Sequence, residues 1–219
     1  MNSMSEEKQI SQAVIKRLPR YYRYLRELIR NDIMRISSKE LAKRMNVTAS
    51  LIRQDLNCFG GFGQQGYGYN VKYLYNEISR ILGVDRGFTA VIVGMGNLGS
   101  ALANNPLFEK RGVVIKGLFD ISENVIGQEW NGGLKVMSMD DCADFCRAGN
   151  IDIAVLTVPK SEAQSVAEYL AEAGIKGFWN FSNMELSLPD YDVKIENIHL
   201  GDTLMTLCYE LAKPAGEDD

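Results

Sequence analysis

Between Gln12 and Arg30, apolar residues recur at three- and four-residue spacing (Val14, Ile15, Leu18, Tyr22, Leu25, Leu28, Ile29), which predicts an amphipathic helix. Pro19 falls inside it and predicts either a kink or a fresh helix start. Ser37 to Glu40 reads S-x-x-E, a capping box opening a short helix through Met45. Thr48 suits the N-cap of a third helix ending near Asn57. Next, Gly60, Gly61, Gly63, Gly66 and Gly68 interleave with Phe62, Tyr67 and Tyr69, predicting a tight hairpin. Residues 71–82 carry one more amphipathic pattern, stopped by Gly83.

Beyond Gly87 the rhythm changes. Apolar runs at Thr89–Val93, Val113–Phe119, Ile153–Val158 and Lys176–Asn180 predict buried strands, with helices at Leu98–Asn104 and Ser161–Ala173 between them. Alternation at this spacing predicts a parallel sheet wrapped by helices. A last apolar helix, Asp202–Leu211, precedes Pro214 and an acidic tail.

Composition changes this picture in two ways. The 219 residues are 46% hydrophobic and 24% charged, ordinary globular values that argue against disorder or a fibrous repeat. Mean hydropathy is -0.15, no window approaches the roughly 18 apolar residues of a membrane helix, and MNSMSEEKQI lacks the layout of a secretory signal. A cytoplasmic protein is expected. The net charge of -4 hides an asymmetry: residues 1–86 hold 15 Lys and Arg against 8 Asp and Glu, a net of +7, and the remainder carries -11. A polyanion-binding module fused to an acidic domain would show this. Cys58, Cys142, Cys146 and Cys208 include one C-x-x-x-C, but with a single histidine in the chain a zinc site has few candidate ligands. Reduced, buried thiols and no metal are the expectation.

Gly94-Met95-Gly96-Asn97-Leu98-Gly99 follows a predicted strand and opens a predicted helix, the context a G-x-G-x-x-G requires. There Gly94 allows the turn, Gly96 lets the backbone approach a pyrophosphate and Gly99 lets helix and strand pack. Asp120 ends the next strand, 21 residues after Gly99, and is followed by Ile121 and Ser122 with no arginine immediately after it. A carboxylate there accepts from ribose hydroxyls and repels a 2′-phosphate, favouring NAD(H) over NADP(H). A glycine-rich turn that holds nothing, or another nucleotide such as a CoA, is the alternative. No catalytic residue is assigned: the single histidine, His199, has no orienting partner in sequence, and no substrate domain of usual size follows.

Residues 37–57 have the layout of a helix-turn-helix. On its second helix Ala49, Ile52 and Leu56 would pack inward, while Ser50, Arg53, Gln54 and Asn57 share the other face. Arginine suits phosphate or guanine, and glutamine and asparagine suit adenine. Lys39, Lys43 and Arg44 add charge on the preceding helix, and the hairpin sits where a wing would. Arg17, Arg20 and Arg23 add charge on the first helix, for DNA or for an interdomain contact.

Taken in order, RLPRYYRYLREL (17–28), SSKELAKRMNVTASLIRQDL (37–56), FGGFGQQGYGYNV (59–71), VGMGNLGSAL (93–102), LTVP (156–159) and GIKGFWNFS (174–182) resemble the Rex family of redox-sensing transcriptional repressors over essentially the whole chain. The resemblance implies an α/β protein: a winged helix-turn-helix domain over 1–86, a Rossmann-type parallel sheet over 87–201, and over 202–219 a C-terminal helix exchanged between subunits of a homodimer, with its acidic tail. It implies a non-enzymatic repressor that holds a palindromic, AT-rich operator when the NADH/NAD+ ratio is low and leaves when NADH rises, controlling fermentation and anaerobic-metabolism genes. The glycine loop with Met95, Asn97, Leu98 and Asp120 would take the adenosine and pyrophosphate, and Thr157, Val158, Pro159 and Asn180 the nicotinamide side. Arg53 matches the family's phosphate-contacting arginine. Departures are Gln54, where a second basic residue is frequent, and Gln64 and Gln65 in the wing. The family's redox-sensitive contact joins an arginine, a tyrosine and an aspartate; here those positions are Arg26, Asn105 and His199, and an imidazole would let the response follow pH. An NAD-dependent oxidoreductase with a basic domain, and a CoA-binding or scaffold protein, are the rival readings.

Overall fold

In the computed structural model, residues 10–59, 63–64, 67–130 and 133–213 are described. The chain divides into two compact units, Met1–Asp85 and Arg86–Asp219.

The first unit opens with α1 (Gln12–Arg30), capped by Ser11. It runs unbroken through Pro19, so the fresh helix start does not occur. A proline inside a helix costs about 3 kcal/mol. Leu18, Tyr21, Tyr22, Leu25 and Leu28, all buried on one face, offset it by making α1 the spine of this core. After β1 (Arg35–Ile36) comes α2 (Ser38–Met45), where Ser37 and Glu40 form the reciprocal capping box. Asn46 then turns the chain with a left-handed φ of 50°. Thr48 caps α3 (Ala49–Asn57), accepting from the Leu51 amide at 3.2 Å. The hairpin pairs β2 (Gly63–Gln64) with β3 (Gly68–Asn70), and β3 with β1, a three-stranded antiparallel sheet in the order β1-β3-β2. Of the glycine run, Gly60, Gly61 and Gly66 lie outside the described residues, as does Gln65. Gly68 is obligatory: its φ is 69°, and a Cβ there would sit 2.6 Å from the Ile36 carbonyl oxygen. Helix α4 (Val71–Leu82) ends in left-handed Gly83 and packs along α1, where the Tyr22 and Tyr75 rings stack at 4.7 Å.

The second unit is a seven-stranded sheet in the order β10-β9-β8-β4-β5-β7-β6. Its strands are β4 (Phe88–Val93), β5 (Val113–Asp120), β6 (Glu129–Trp130), β7 (Leu134–Ser138), β8 (Ile153–Leu156), β9 (Gly177–Asn180) and β10 (Lys194–Asn197). All neighbours are parallel except β6 with β7. Successive residues of the central strands feed opposite faces, so β4 and β8 read as continuous apolar runs. Val91, Val93, Ala154 and Leu156 join the core under α6 (Cys142–Gly149) and α7 (Lys160–Glu172), and Ile92 and Val155 join the core on the other face. That other face includes Met95, just before α5 (Asn97–Ala103). Strand β8 stops at Leu156, two residues before the predicted end, because Pro159 caps α7. The terminal α8 (Leu200–Ala212) buries none of its residues.

Candidate functional site

The chain passes from β4 to β5 on one side and later returns to β8 on the other side of β4. Such a switch point opens a crevice at the carboxyl ends of the strands, where parallel sheets hold ligands. The glycine loop fills this position, and its three glycines are there for different reasons. Gly94 has φ 94°, and a Cβ would lie 2.8 Å from the Thr157 carbonyl oxygen. A Cβ on Gly99 would lie 1.9 Å from the Gly94 oxygen. Gly96 has an ordinary φ of -67° and nothing within 4 Å of its would-be Cβ. Neither the backbone conformation nor a neighbouring atom demands glycine at 96. Gly96 also caps α5 without a side-chain hydrogen bond, so the cap offers no acceptor to the first-turn amides of Asn97, Leu98 and Gly99, a setting that favours an anion.

Neighbouring strands tie the loop down. Asp120, at the end of β5, accepts from the Met95 amide at 2.5 Å and the Ser122 amide at 2.8 Å. The Thr157 hydroxyl donates to the Gly94 carbonyl at 2.6 Å and sits within 3.0 Å of the Val93 carbonyl. Val158 lies beside Gly94, and Pro159 begins α7. Asn180, at the end of β9, is buried, and its amide is saturated by Met184, Asn197 and Ser182. Its side chain shapes this edge by holding neighbouring backbone.

Asn105 follows α5 at the end opposite the glycine loop, accepting from the Leu107 amide at 3.0 Å. It lines a cavity of about 390 Å³ with Phe108, Val114 and Trp130. His199 does have an orienting partner, contrary to the sequence-based expectation: Glu185, whose carboxylate lies 2.8 Å from Nε2. Fourteen residues separate them, so no local pattern reveals the pair. Arg26 is half-buried on α1 in the first unit.

In the first unit Ser50, Arg53, Gln54 and Asn57 are all exposed on one face of α3, and Lys39, Lys43 and Arg44 are exposed on α2. Arg53 donates to the Ser38 hydroxyl at 3.2 Å, which links the two helices at the surface. Behind this face lies an element that periodicity did not reveal. Asp55 is buried, yet it sits on the inner side of α3 and accepts from Arg17 Nε and Nη2 at 2.8 and 2.7 Å and from the Tyr21 hydroxyl at 2.9 Å. Burial first, and then the bond to Asp55, raises the Tyr21 phenol pKa. Arg17 is therefore committed to holding α3 on α1, and Arg20 to the Met45 carbonyl. Both guanidiniums are thus engaged inside the first unit. Arg23 is exposed, with its guanidinium 5.8 Å from the Tyr24 ring centroid.

Comparisons with known proteins agree with this division. Residues 9–57 match the family model described as putative DNA-binding protein N-terminus, and residues 85–184 match the CoA binding domain. A helix-turn-helix unit joined to a nucleotide-binding Rossmann unit defines a ligand-responsive transcription regulator. The redox-sensing transcriptional repressor Rex of Thermoanaerobacter pseudethanolicus is 53% identical over 208 residues, 95% of this chain and 92% of that protein. Its counterpart in Clostridium botulinum is 50% identical over 95% of this chain and 98% of that protein. The chain belongs to the Rex family of redox-sensing transcriptional repressors, a family of regulators and not of enzymes. Two similar solved structures are of RSP, a Rex-family repressor. Its complex with β-NAD+ and operator DNA matches with TM-score 0.87 at 53% identity, covering 92% of each chain. Its complex with β-NADH matches with TM-score 0.85 at 50% identity, covering 93% of this chain and 95% of that one.

Proposed function

We propose that this protein is a cytoplasmic, homodimeric repressor that holds a palindromic, AT-rich operator when the NADH/NAD+ ratio is low and releases it when NADH binds, controlling fermentation and anaerobic-metabolism genes. The observation that carries the cofactor half is Gly96, a glycine that neither backbone conformation nor neighbouring atoms require. The loop and α5 amides take the pyrophosphate, and Asp120 takes the adenosine ribose, its charge disfavouring the 2′-phosphate of NADPH. Thr157, Val158, Pro159 and Asn180 border the nicotinamide. No catalytic residue is invoked.

In the DNA half, Ser50, Arg53, Gln54 and Asn57 enter the major groove, with Lys39, Lys43 and Arg44 on phosphates and Gln64 and Gln65 of the wing alongside. The homodimer reading is supported by α8, where Leu200, Leu204, Leu207 and Leu211 recur at helical spacing with more than half of each exposed. Such a stripe calls for a partner, and exchange of α8 between copies supplies one. Linkage completes the mechanism: NADH and operator favour different dimer geometries, and each weakens the other's binding by the same factor. Arg26, Asn105 and His199 belong to the contact that distinguishes the two.

The test is a fluorescence-anisotropy titration on a palindromic AT-rich duplex without cofactor, with NAD+ and with NADH, using a scrambled duplex and NADPH as controls. Tight binding abolished by NADH alone is expected. Binding indifferent to NADH sinks the redox reading, and no specific binding sinks the operator reading.

A further inference from the structure

A line of polar side chains runs along the carboxyl ends of β8, β9 and β10, away from the glycine loop and toward the root of α8. Asn180 pairs in register with Leu156 on one side, the residue before Thr157, and with Asn197 on the other. Its amide nitrogen donates to the Asn197 Oδ1 at 2.8 Å. The Asn197 nitrogen donates to Glu185 Oε2 at 2.7 Å, and Glu185 Oε1 lies 2.8 Å from His199 Nε2. The main chain runs parallel to this line, with the Ile198 amide donating to the Asn180 carbonyl at 2.8 Å.

Three features separate this arrangement from ordinary surface polarity. Glu185 is 76% exposed at its side chain, so no core packing fixes it, yet both its oxygens are engaged by two different elements. His199 occupies the N-cap position of α8 but makes no side-chain cap; its ring is turned to Glu185 instead. Helix α8 buries no residue of its own within one copy, so there its tie to the sheet runs through its root.

We propose that Glu185 is a positioning residue of the redox response, tying the nicotinamide edge of the sheet to the root of α8 through Asn197 and His199. This rests on the cofactor reading given above. A ligand that shifts the ends of β8 and β9 moves Asn180, and with it the Asn197–Glu185–His199 line, which re-aims α8. Glu185 itself touches neither cofactor nor DNA in this account.

The experiment uses the full chain, an AT-rich palindromic duplex and NADH, measuring three quantities: operator affinity without cofactor, NADH affinity without DNA, and the factor by which saturating NADH weakens operator binding. Glu185→Ala and Asn197→Ala each reduce that factor about fivefold, the scale of one exposed charge-assisted contact, and leave the other two within about twofold. Glu185→Gln keeps the factor near the wild-type value, because its amide still accepts from Asn197 and can donate to the imidazole. A factor unchanged in both alanine variants, or lost as fully in Glu185→Gln as in Glu185→Ala, overturns the proposal. Should Glu185→Ala fail to fold, Asn197→Ala and Glu185→Gln decide between the same outcomes. Wild-type protein that neither binds NADH nor is released by it overturns the cofactor reading, and the proposal with it.

Discussion

The two units present their candidate surfaces by opposite means. In the first, exposed side chains of α3 form the face, and the buried Arg17–Asp55–Tyr21 cluster behind them fixes the helix that carries them. In the second, backbone amides and missing side chains form the crevice, with Thr157 and Asp120 bonded to the loop itself. Function and stability are therefore separable by helix face in α3, whereas in the glycine loop they are separated residue by residue. The largest expected effect tests that contrast within a single turn. Gly99→Ala places a Cβ 1.9 Å from the Gly94 carbonyl and should destabilise the second unit by about 4 kcal/mol or more in denaturant unfolding. Gly96→Ala, at the N-cap of α5, should cost no more than about 1 kcal/mol of stability yet weaken NADH about tenfold, by calorimetry. If Gly96→Ala binds NADH like wild type, the ligand-based account of that glycine is wrong.

The first unit has its own structural anchor. Asp55→Ala leaves the Arg17 guanidinium and the Tyr21 hydroxyl facing an empty acceptor site. Breaking a buried pair costs about 3–5 kcal/mol. Because 34% of the Arg17 side chain reaches solvent, about 2–4 kcal/mol is expected. The loss should appear in the unfolding of the first unit, while NADH affinity persists. Equal losses of NADH binding and operator binding would show that the two units do not fail separately.

How far these features were legible in the sequence follows from the same contrast. Strong periodicity and capping chemistry place α1 to α4 within a residue or two, and the glycine spacing marks the turn between β4 and α5. Asp55 escaped notice because it is polar on an inward face: its partners are 34 and 38 residues away, and only the fold brings them together. Similarly, β10 alternates exposed Lys194 and Glu196 with half-buried neighbours at the sheet edge, which leaves it without an apolar run. Strand β7 and the eight-residue α6 are short, and their buried residues, Val136 and then Cys142, Ala143 and Cys146, are too few to set a period. The Glu185–His199 pair shares this origin, as a contact between the loop after β9 and the N-cap of α8 that no local pattern shows.

A smaller effect sharpens the division on the α3 face. Arg53→Ala should weaken operator binding by about 1–3 kcal/mol and lower the slope of log affinity against log salt by about 1, as loss of a phosphate contact does. Arg53 donates to the Ser38 hydroxyl at the surface, so thermal stability should barely move. An unchanged salt slope would remove Arg53 from the phosphate-contacting set.

The smallest effect concerns the capping box, where stability of the first unit rests on local chemistry. Ser37→Ala removes the acceptor for the Glu40 amide and should cost about 1 kcal/mol. Glu40 is the reciprocal partner, and its hydrogen bonds from the Ser37 backbone and hydroxyl lower its carboxyl pKa below the usual 4.5. A carboxyl whose folded-state value is depressed contributes fully above its unfolded value and loses that contribution as pH falls through the folded one. The stability difference between wild type and Glu40→Gln should therefore be present at neutral pH and shrink on acidification below about pH 4.5. If the difference is the same at pH 7 and at pH 3 in urea unfolding, the charge on Glu40 plays no part in the cap, and the Ser37 hydroxyl alone begins α2.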